Sequence, residues 1–307
     1  MKKMKKHIII LAAIFAAALF APACSPEEVQ GPKDEGLTIS LFSGDLETKA
    51  YNSSFETAID HFDFFFFEDE AGTIPIPGMH GRASGSSVTL DTKPRQTYEA
   101  LRKRESFVYI LANYPDDIDH RYDMALYEIL ALPVNYKIMT GTTTVVTDGV
   151  SQETVTFNDN LVMDSYNSST EKHTVKISAP TKFNEARTVN VDLTRLAAKL
   201  ILKVNVPTNV PGSMIGETWT PILEDLEAYF VNALNNKTKV DGQPIQRSLI
   251  PTAQQGNYEY IAYPNWYPIK STTASPRSFT ADPVFTYPQK WAPKENGEQY
   301  FKIHMVW

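Results

Sequence analysis

The chain has 307 residues, of which 42% are hydrophobic and 11% aromatic, and its formal net charge is −7 at pH 7. This composition suffices for one large or two ordinary domains with real cores, and it excludes disorder of the whole chain. Residues 1–23 hold four of the 29 basic side chains and no acid, so residues 24–307 carry 25 basic against 36 acidic groups, a net charge of −11. Such an acidic chain disfavours nucleic acid as a partner.

The first 23 residues have the pattern of a secretory signal peptide. Four lysines precede an apolar run of 14 residues, 8–21, whereas a membrane-spanning helix needs about 20 apolar residues. The sequence therefore predicts a cleaved signal peptide over residues 1–23.

The only cysteine, Cys24, directly follows the small residues Ala21-Pro22-Ala23. A lone cysteine cannot form an internal disulfide, and its place resembles the lipobox of bacterial lipoproteins. The resemblance implies that the thiol of Cys24 carries a diacyl or triacyl group, palmitate among its acyl chains, and becomes the first mature residue. More than one acyl chain is what stable membrane anchoring needs. The alternative is a free cysteine beside an ordinary signal peptide or a short uncleaved anchor.

Residues 24–36 predict a lipidated flexible tether, because they are polar and contain two prolines and four acids. The acidic start at residues 24–28 also resembles the tags that send some Gram-negative lipoproteins to the outside of the outer membrane, although a solvated linker explains the acids equally well. We therefore expect a surface-exposed protein of the cell outer membrane.

From residue 37 onward the sequence is typical of a mainly β protein, with alternating or short apolar runs between turn residues. Residues 37–41 alternate, with Leu37, Ile39 and Leu41 on one face. Further strands are predicted at 59–67, 107–112, 174–177, 188–193, 200–206, 227–233 and 300–306. Asp148-Gly149 predicts a hairpin between residues 143–146 and 152–157. Short helices are predicted at 97–103 and 122–130.

We predict an N-terminal domain over residues 37–186 and a C-terminal domain over residues 187–307. Residues 263–291, rich in proline and aromatic residues, are expected to form long loops over a β scaffold. Residues 300–307 alternate as a strand and then stop, which favours a final hairpin partner that is missing from this sequence or is supplied by another molecule.

No motif in the sequence predicts an enzyme or a cofactor other than the covalent lipid. The histidines beyond the leader have no metal-ligand spacing and are interpreted as surface or strand residues, and no nucleophile elbow, phosphate loop or dinucleotide fingerprint is present. Those histidines are His61, His80, His120, His173 and His304.

Three weaker patterns are best explained by ordinary surface or loop structure. Asp116, Asp117 and Asp119 could offer oxygens to calcium, but without the other features of an EF-hand a solvated turn is favoured. The basic run at residues 102–104 is expected to form a solvated face. Aromatic residues between 258 and 291, including Trp266 and Trp291, could stack on sugars, but ordinary loop packing is favoured.

Several segments in order resemble the fimbrillin superfamily, the lipoprotein-exported type V pilins and their accessory proteins. The segments are the lipobox at Cys24, Thr48-Lys49-Ala50 ahead of the Phe-rich residues 59–68, the strand end at 109–115, residues 161–165, and residues 193–200. The resemblance implies two transthyretin-like β-sandwich domains. It also implies proteolytic processing between Lys49 and Ala50 by a trypsin-like protease, with Lys49 standing where some members have arginine.

The physical consequence of such a cut follows from the first strand. If Leu37, Ile39 and Leu41 fill a groove, their removal exposes apolar surface and unpaired backbone groups that a strand of another subunit would fill. The sequence thus favours a fimbrial subunit that assembles by strand exchange with related pilins and contacts the outer membrane through its lipid. The alternative is a surface lipoprotein binding module, such as a fimbrial anchor, a tip adhesin or a glycan-binding protein that captures a host protein or glycan.

Overall fold

In the part of the chain described by the computed structural model, nearly all of the regular secondary structure is β-strand. This part comprises residues 36–43, 57–120, 122–147, 150–157, 160–181, 185–200, 202–207, 209–212, 214, 216–220, 222–242, 260–266, 269–271, 277–280, 284–288 and 300–306. Among these residues, no helix is long and apolar enough to cross a membrane.

The described residues between 36 and 195 include eleven strands and two short helices. The strands are β1 (Gly36–Ser43), β2 (His61–Phe67), β3 (Pro75–Ser84), β4 (Ser87–Asp91), β5 (Ser106–Ala112), β6 (Pro133–Val134), β7 (Met139–Thr147), β8 (Val150–Phe157), β9 (Met163–Asp164), β10 (Val175–Ile177) and β11 (Arg187–Arg195). The helices are a 3-10 helix at Glu99–Arg102 and α1 at Leu126–Leu130.

The later strands are shorter on average. They are β12 (Ala198–Leu200), β13 (Lys203–Val206), β14 (Val210–Pro211), β15 (Thr218–Trp219), β16 (Ile222–Leu234), β17 (Thr238–Lys239), β18 (Tyr260–Trp266), β19 (Ile269–Ser271), β20 (Arg277–Thr280), β21 (Val284–Thr286) and β22 (Tyr300–Val306).

The largest sheet has eight strands in the order β3-β2-β5-β9-β11-β1-β4, with β10 paired to β5. We call it the first sheet. Strand β9 has only two residues, which pair with β5 on one side and with β11 on the other. Because this link within the sheet is so short, the strands on one side of β9 can fold over those on the other side. The remaining described strands form the pairs β7-β8, β6-β17, β12-β21 and β14-β15 and the three-stranded sheets β13-β20-β19 and β18-β16-β22.

Strands β2 and β5 are buried on both faces, and their alternate residues enter two different cores. Phe62, Phe64 and Phe66 face an inner core, which also contains side chains of β1, β4 and β11. Phe65 and Phe67 face an outer core that includes α1, Leu234 and Phe285. The inner core therefore lies between two parts of the first sheet, as in a β-sandwich, and the protein is mainly β as predicted.

Five of the predicted strands, some alternating and some continuously apolar, are confirmed. Those predicted at 37–41, 59–67, 107–112, 188–193 and 300–306 correspond to β1, β2, β5, β11 and β22. The predicted hairpin is β7-β8, with Thr147 opposite Val150. The predicted helices are shorter than expected, and the strand predicted at 200–206 is divided into β12 and β13.

The expectation of long loops at residues 263–291 is wrong, because β18 ends within this range and β19, β20 and β21 lie inside it. Proline does not prevent β18, since that strand lies at the edge of its sheet and an edge residue can do without its ladder N–H.

The predicted domain boundary at residue 187 coincides with the first residue of β11. Because β11 pairs with β1 and β9, a boundary that respects this pairing would follow Arg195. The division into two domains itself stays a prediction.

Candidate functional site

Strand β1 lies between two other strands of the first sheet and is hydrogen-bonded to both. It runs parallel to β11, with Leu37 opposite Arg187 and Leu41 opposite Val191. It runs antiparallel to β4, with Leu37 opposite Leu90. At the end of the ladder with β4, the Leu41 N–H donates to the carbonyl of Ser86 at 2.9 Å. Removing β1 would therefore leave two facing strands with unpaired backbone groups.

The side chains of β1 alternate between the inner core and the outer surface. Leu37 and Ile39 are 0% exposed and Leu41 is 6% exposed. On the opposite face, the hydroxyl oxygens of Thr38 and Thr89 lie 3.0 Å apart, while Phe42 near the strand end is 51% exposed. The predicted apolar face is thus the buried face of this strand.

The burial of these three side chains is a large contribution on the scale of protein stability. A fully buried aliphatic side chain contributes roughly 1.5–3 kcal/mol, so Leu37, Ile39 and Leu41 together contribute about 5–9 kcal/mol as an upper estimate. The total stability of a domain is of the same order, about 5–15 kcal/mol. A groove that loses β1 would therefore be strongly favoured to take up another apolar strand.

The covalent connection from β1 to the rest of the fold runs through residues 44–56, which lie outside the described residues, as do Cys24, Lys49 and Ala50. The two ends of that segment meet, because the Ser43 hydroxyl donates to the carbonyl of Thr57 at 3.1 Å. Lys49 is the only lysine or arginine between Lys33 and Arg82. A cut after Lys49 would leave β1 held by non-covalent contacts alone.

A buried charge cluster lies on the face of β2 that points away from the inner core. The spacing of the histidines in the sequence does not indicate it. Asp63 of β2 is 0% exposed, and its two oxygens accept from Nε and Nη2 of Arg82, both at 2.9 Å. His120 Nε2 also lies 2.8 Å from Asp63 Oδ1. The pKa of Arg82 is raised, chiefly by its hydrogen bonds to Asp63. The signal in the sequence was an acid in a strand of buried phenylalanines, since such an acid needs a partner.

The acidic turn at residues 116–119 is bound by this arginine. Arg82 Nη1 donates to Asp117 at 2.6 Å, and Nη2 donates to the carbonyl of Asp116 at 2.8 Å. Asp117 remains 98% exposed, which agrees with a solvated turn. Among the described residues, no group of three or more His, Cys, Asp or Glu side chains is arranged to hold a metal ion.

A second buried acid, Asp164 of β9, pairs with a histidine. His173 Nδ1 lies 2.9 Å from Asp164 Oδ2, and the Tyr109 hydroxyl lies 3.4 Å from the same oxygen. Burial raises the pKa of Asp164 despite the bond to His173, and burial followed by the charge of Asp164 raises the pKa of Tyr109. Asp164 and His173 border a cavity of about 280 Å³ that Arg195 and Asp241 also line.

Two further predictions have different outcomes. The solvated face expected at residues 102–104 is wrong for Arg102, which is 8% exposed, whereas Lys103 is exposed and Arg104 is half-buried. The proposed aromatic platform is not tested, because Trp291 lies outside the described residues and Trp266 is described only as part of the backbone of β18.

No protein family model matches this sequence, and no curated protein matches it. Solved structures that are similar to it include a candidate cell adhesion protein from Bacteroides eggerthii DSM 20697, with 14% identity, a TM-score of 0.39, and coverage of 88% of this chain and 78% of that one. The fimbrial anchor protein Mfa2 from Porphyromonas gingivalis has 8% identity, a TM-score of 0.35 and coverage of 87% and 76%. A candidate adhesin from Bacteroides ovatus has 10% identity, a TM-score of 0.31 and coverage of 88% and 73%.

Proposed function

We propose that this protein is a structural subunit of a cell-surface fimbria. It is exported as a lipoprotein through Cys24, cut between Lys49 and Ala50, and assembled with other fimbrial subunits by strand exchange. The position of β1 carries the proposal: it is an interior strand whose apolar face completes the inner core. It is also joined to the remainder of the fold by a single segment that contains one basic residue.

The energetics favour replacement of β1 over a permanently open groove. Without β1, the facing edges of β11 and β4 would be separated by roughly 10 Å, twice the spacing of neighbouring strands. One strand fits this gap and satisfies both edges. Its apolar side chains must alternate, because only one face of the gap opens onto the inner core. Assembly by this route needs no nucleotide, since the buried apolar surface supplies the free energy.

The N-terminus of the protein on its native cells tests this proposal. Surface fibres are removed by shearing, and the N-terminal residue of the subunit is determined in the fibre and membrane fractions. We expect Ala50 in the fibre fraction. Lys49→Ala should abolish both the cut and incorporation into fibres, whereas Lys33→Ala, at the other basic residue between Cys24 and Ala50, should leave both unchanged.

Absence of the protein from sheared fibres, with acylated Cys24 at the N-terminus throughout, would contradict a stalk role. It would support the second candidate, a fimbrial anchor in the outer membrane. The specific observation that favours this candidate is that the first sheet is complete with β1 in place. An uncut chain therefore needs no strand from a neighbour and keeps its lipid.

A further inference from the structure

Two histidines that lie 40 residues apart in sequence meet edge to edge beside the buried charge cluster. His80 is in β3, and His120 is in the segment that follows β5. Their Nδ1 atoms lie 3.3 Å apart, while the ring centroids are 5.4 Å apart and the ring planes differ by 17°. At this centroid distance, the nitrogens can approach so closely only if each lies near the line that joins the two ring centres. The two Nδ1 positions therefore point at one another.

The other nitrogen of each ring faces a carboxylate. His120 Nε2 lies 2.8 Å from Asp63 Oδ1, and His80 Nε2 lies 3.2 Å from Asp123 Oδ1. Asp63 is ionised, since both of its oxygens accept hydrogen bonds from Arg82. An ionised carboxylate only accepts hydrogen bonds. Asp123 Oδ1 also accepts from the Gly78 N–H at 2.7 Å, so each Nε2 faces a hydrogen-bond acceptor and is expected to carry a hydrogen.

The number of protons on the two rings determines what lies between their Nδ1 atoms. A neutral imidazole has one N–H, so two neutral rings with hydrogens on Nε2 would direct two bare lone pairs at each other across 3.3 Å. A single extra proton converts this contact into an N–H···N hydrogen bond. We propose that His80 and His120 share one proton between their Nδ1 atoms, and that this proton is a pH-sensitive latch holding residues 113–120 on the first sheet.

The charged groups around the pair favour one positive charge on it. The carboxylates of Asp63 and Asp123 lie at its two ends. Arg82, the cation that binds Asp63, is also bound by Asp117. The Phe65 ring packs against the pair, with its centroid 5.5 Å from that of His120.

The latch closes only at intermediate proton occupancy. A second shared-site proton would place two N–H donors against each other, and loss of the first would restore two facing lone pairs. Either change breaks the histidine contact between β3 and residues 113–120, and leaves the bonds of Arg82 to Asp116 and Asp117 to hold the segment. Imidazole groups change charge between about pH 5 and 8, so protection of this segment should pass through a maximum as the pH is varied. This inference is independent of the proposed fimbrial role.

Histidine side-chain ¹⁵N NMR of the full folded protein tests the proton count. At the pH of maximum protection, we expect both Nε2 atoms to be protonated. The two Nδ1 signals should together account for one proton, and acidification should protonate both. Two bare Nδ1 atoms, or a ring with a bare Nε2, at every pH where the protein is folded would overturn the proposal.

Amide hydrogen exchange of residues 113–120 tests the latch itself. After correction for intrinsic rates, the wild type should show a bell-shaped protection profile that His80→Gln flattens, with exchange about tenfold faster or more at the maximum. His61→Gln is the matched control, because His61 Nε2 contacts the carbonyl of Tyr114 at 2.9 Å but lies outside the pair. A wild-type profile without a maximum would refute the latch. If His80→Gln does not fold, the wild-type NMR and exchange profiles still decide.

Discussion

Replacing Ile39 with alanine tests whether the apolar face of β1 supports the inner core. Ile39 is 0% exposed and belongs to the core formed by β1, β2, β4, β5 and β11. Isoleucine-to-alanine changes at such positions remove transfer free energy and leave a cavity, with a cost of about 2–5 kcal/mol. Thr38→Ala is the matched control, because Thr38 is the neighbouring residue on the outer face and its hydroxyl lies 3.0 Å from that of the exposed Thr89. Loss of that cross-strand contact costs about 0.2–1 kcal/mol.

Urea unfolding of the chain from residue 25 onward, produced without lipid, measures this difference. Because the dependence of stability on urea is typically about 1–3 kcal/mol per molar, Ile39→Ala should lower the unfolding midpoint by on the order of 1 M or more. Thr38→Ala should lower it by no more than a few tenths of that amount. Equal effects of the two changes, or a cost below about 1 kcal/mol for Ile39→Ala, would refute the assignment of this face to the core.

Three further changes probe the packing and the buried polar groups. Gly81→Ala should cost about 1–3 kcal/mol in thermal unfolding, because its added Cβ would lie 2.9 Å from the buried Phe64 ring. Asn113 has a φ of 57° and makes three side-chain hydrogen bonds at 2.9–3.0 Å. Asn113→Gly should therefore cost about 2–4 kcal/mol, and Asn113→Ala more, because alanine also disfavours positive φ. Burial raises the pKa of Asp164 above its usual 3.8, so the folded state binds this proton more tightly and wild-type stability falls as the pH rises from 3.8 through the raised value. Asp164→Asn should remove that part of the pH dependence in urea titrations, whereas an unchanged slope would contradict a raised pKa.

The strands that the sequence predicts are those whose alternation matches burial. In β1, the residues at alternate positions meet one core, and the period-two pattern identifies both the strand and its buried face. In β2 and β5, both faces are buried, yet continuous apolar runs bounded by turn residues still indicate strands.

Two strands that the sequence does not indicate, β3 and β18, lie at edges and contain turn residues. Strand β3 includes Pro75, Pro77 and Gly78, and it is tolerated because it lies at one end of the first sheet, with a register shift against β2. Strand β18 contains Pro264 and is likewise an edge strand. Local patterns cannot distinguish such strands from loops, because their pairing depends on the strand beside them.

The candidate sites also differ in whether local sequence or the tertiary fold brings their residues together. Leu37, Ile39 and Leu41 are neighbours along one strand, so their shared face follows from local geometry. By contrast, His80 and His120 meet only because β3 pairs with β2 and the segment after β5 returns to them. No residue spacing reports such a contact, since it depends on the tertiary fold.

A reversible cross-link between β1 and β4 tests strand exchange most directly. Thr38 and Thr89 are opposite each other in the antiparallel pair, with their hydroxyl oxygens 3.0 Å apart. Side chains this close can accommodate a disulfide in the double variant T38C/T89C. We expect the oxidised variant to fold, reach the surface and be cut at Lys49, yet to form no fibres until a reductant breaks the disulfide. Fibres that assemble with the disulfide intact would show that β1 does not leave its groove, and would contradict the account.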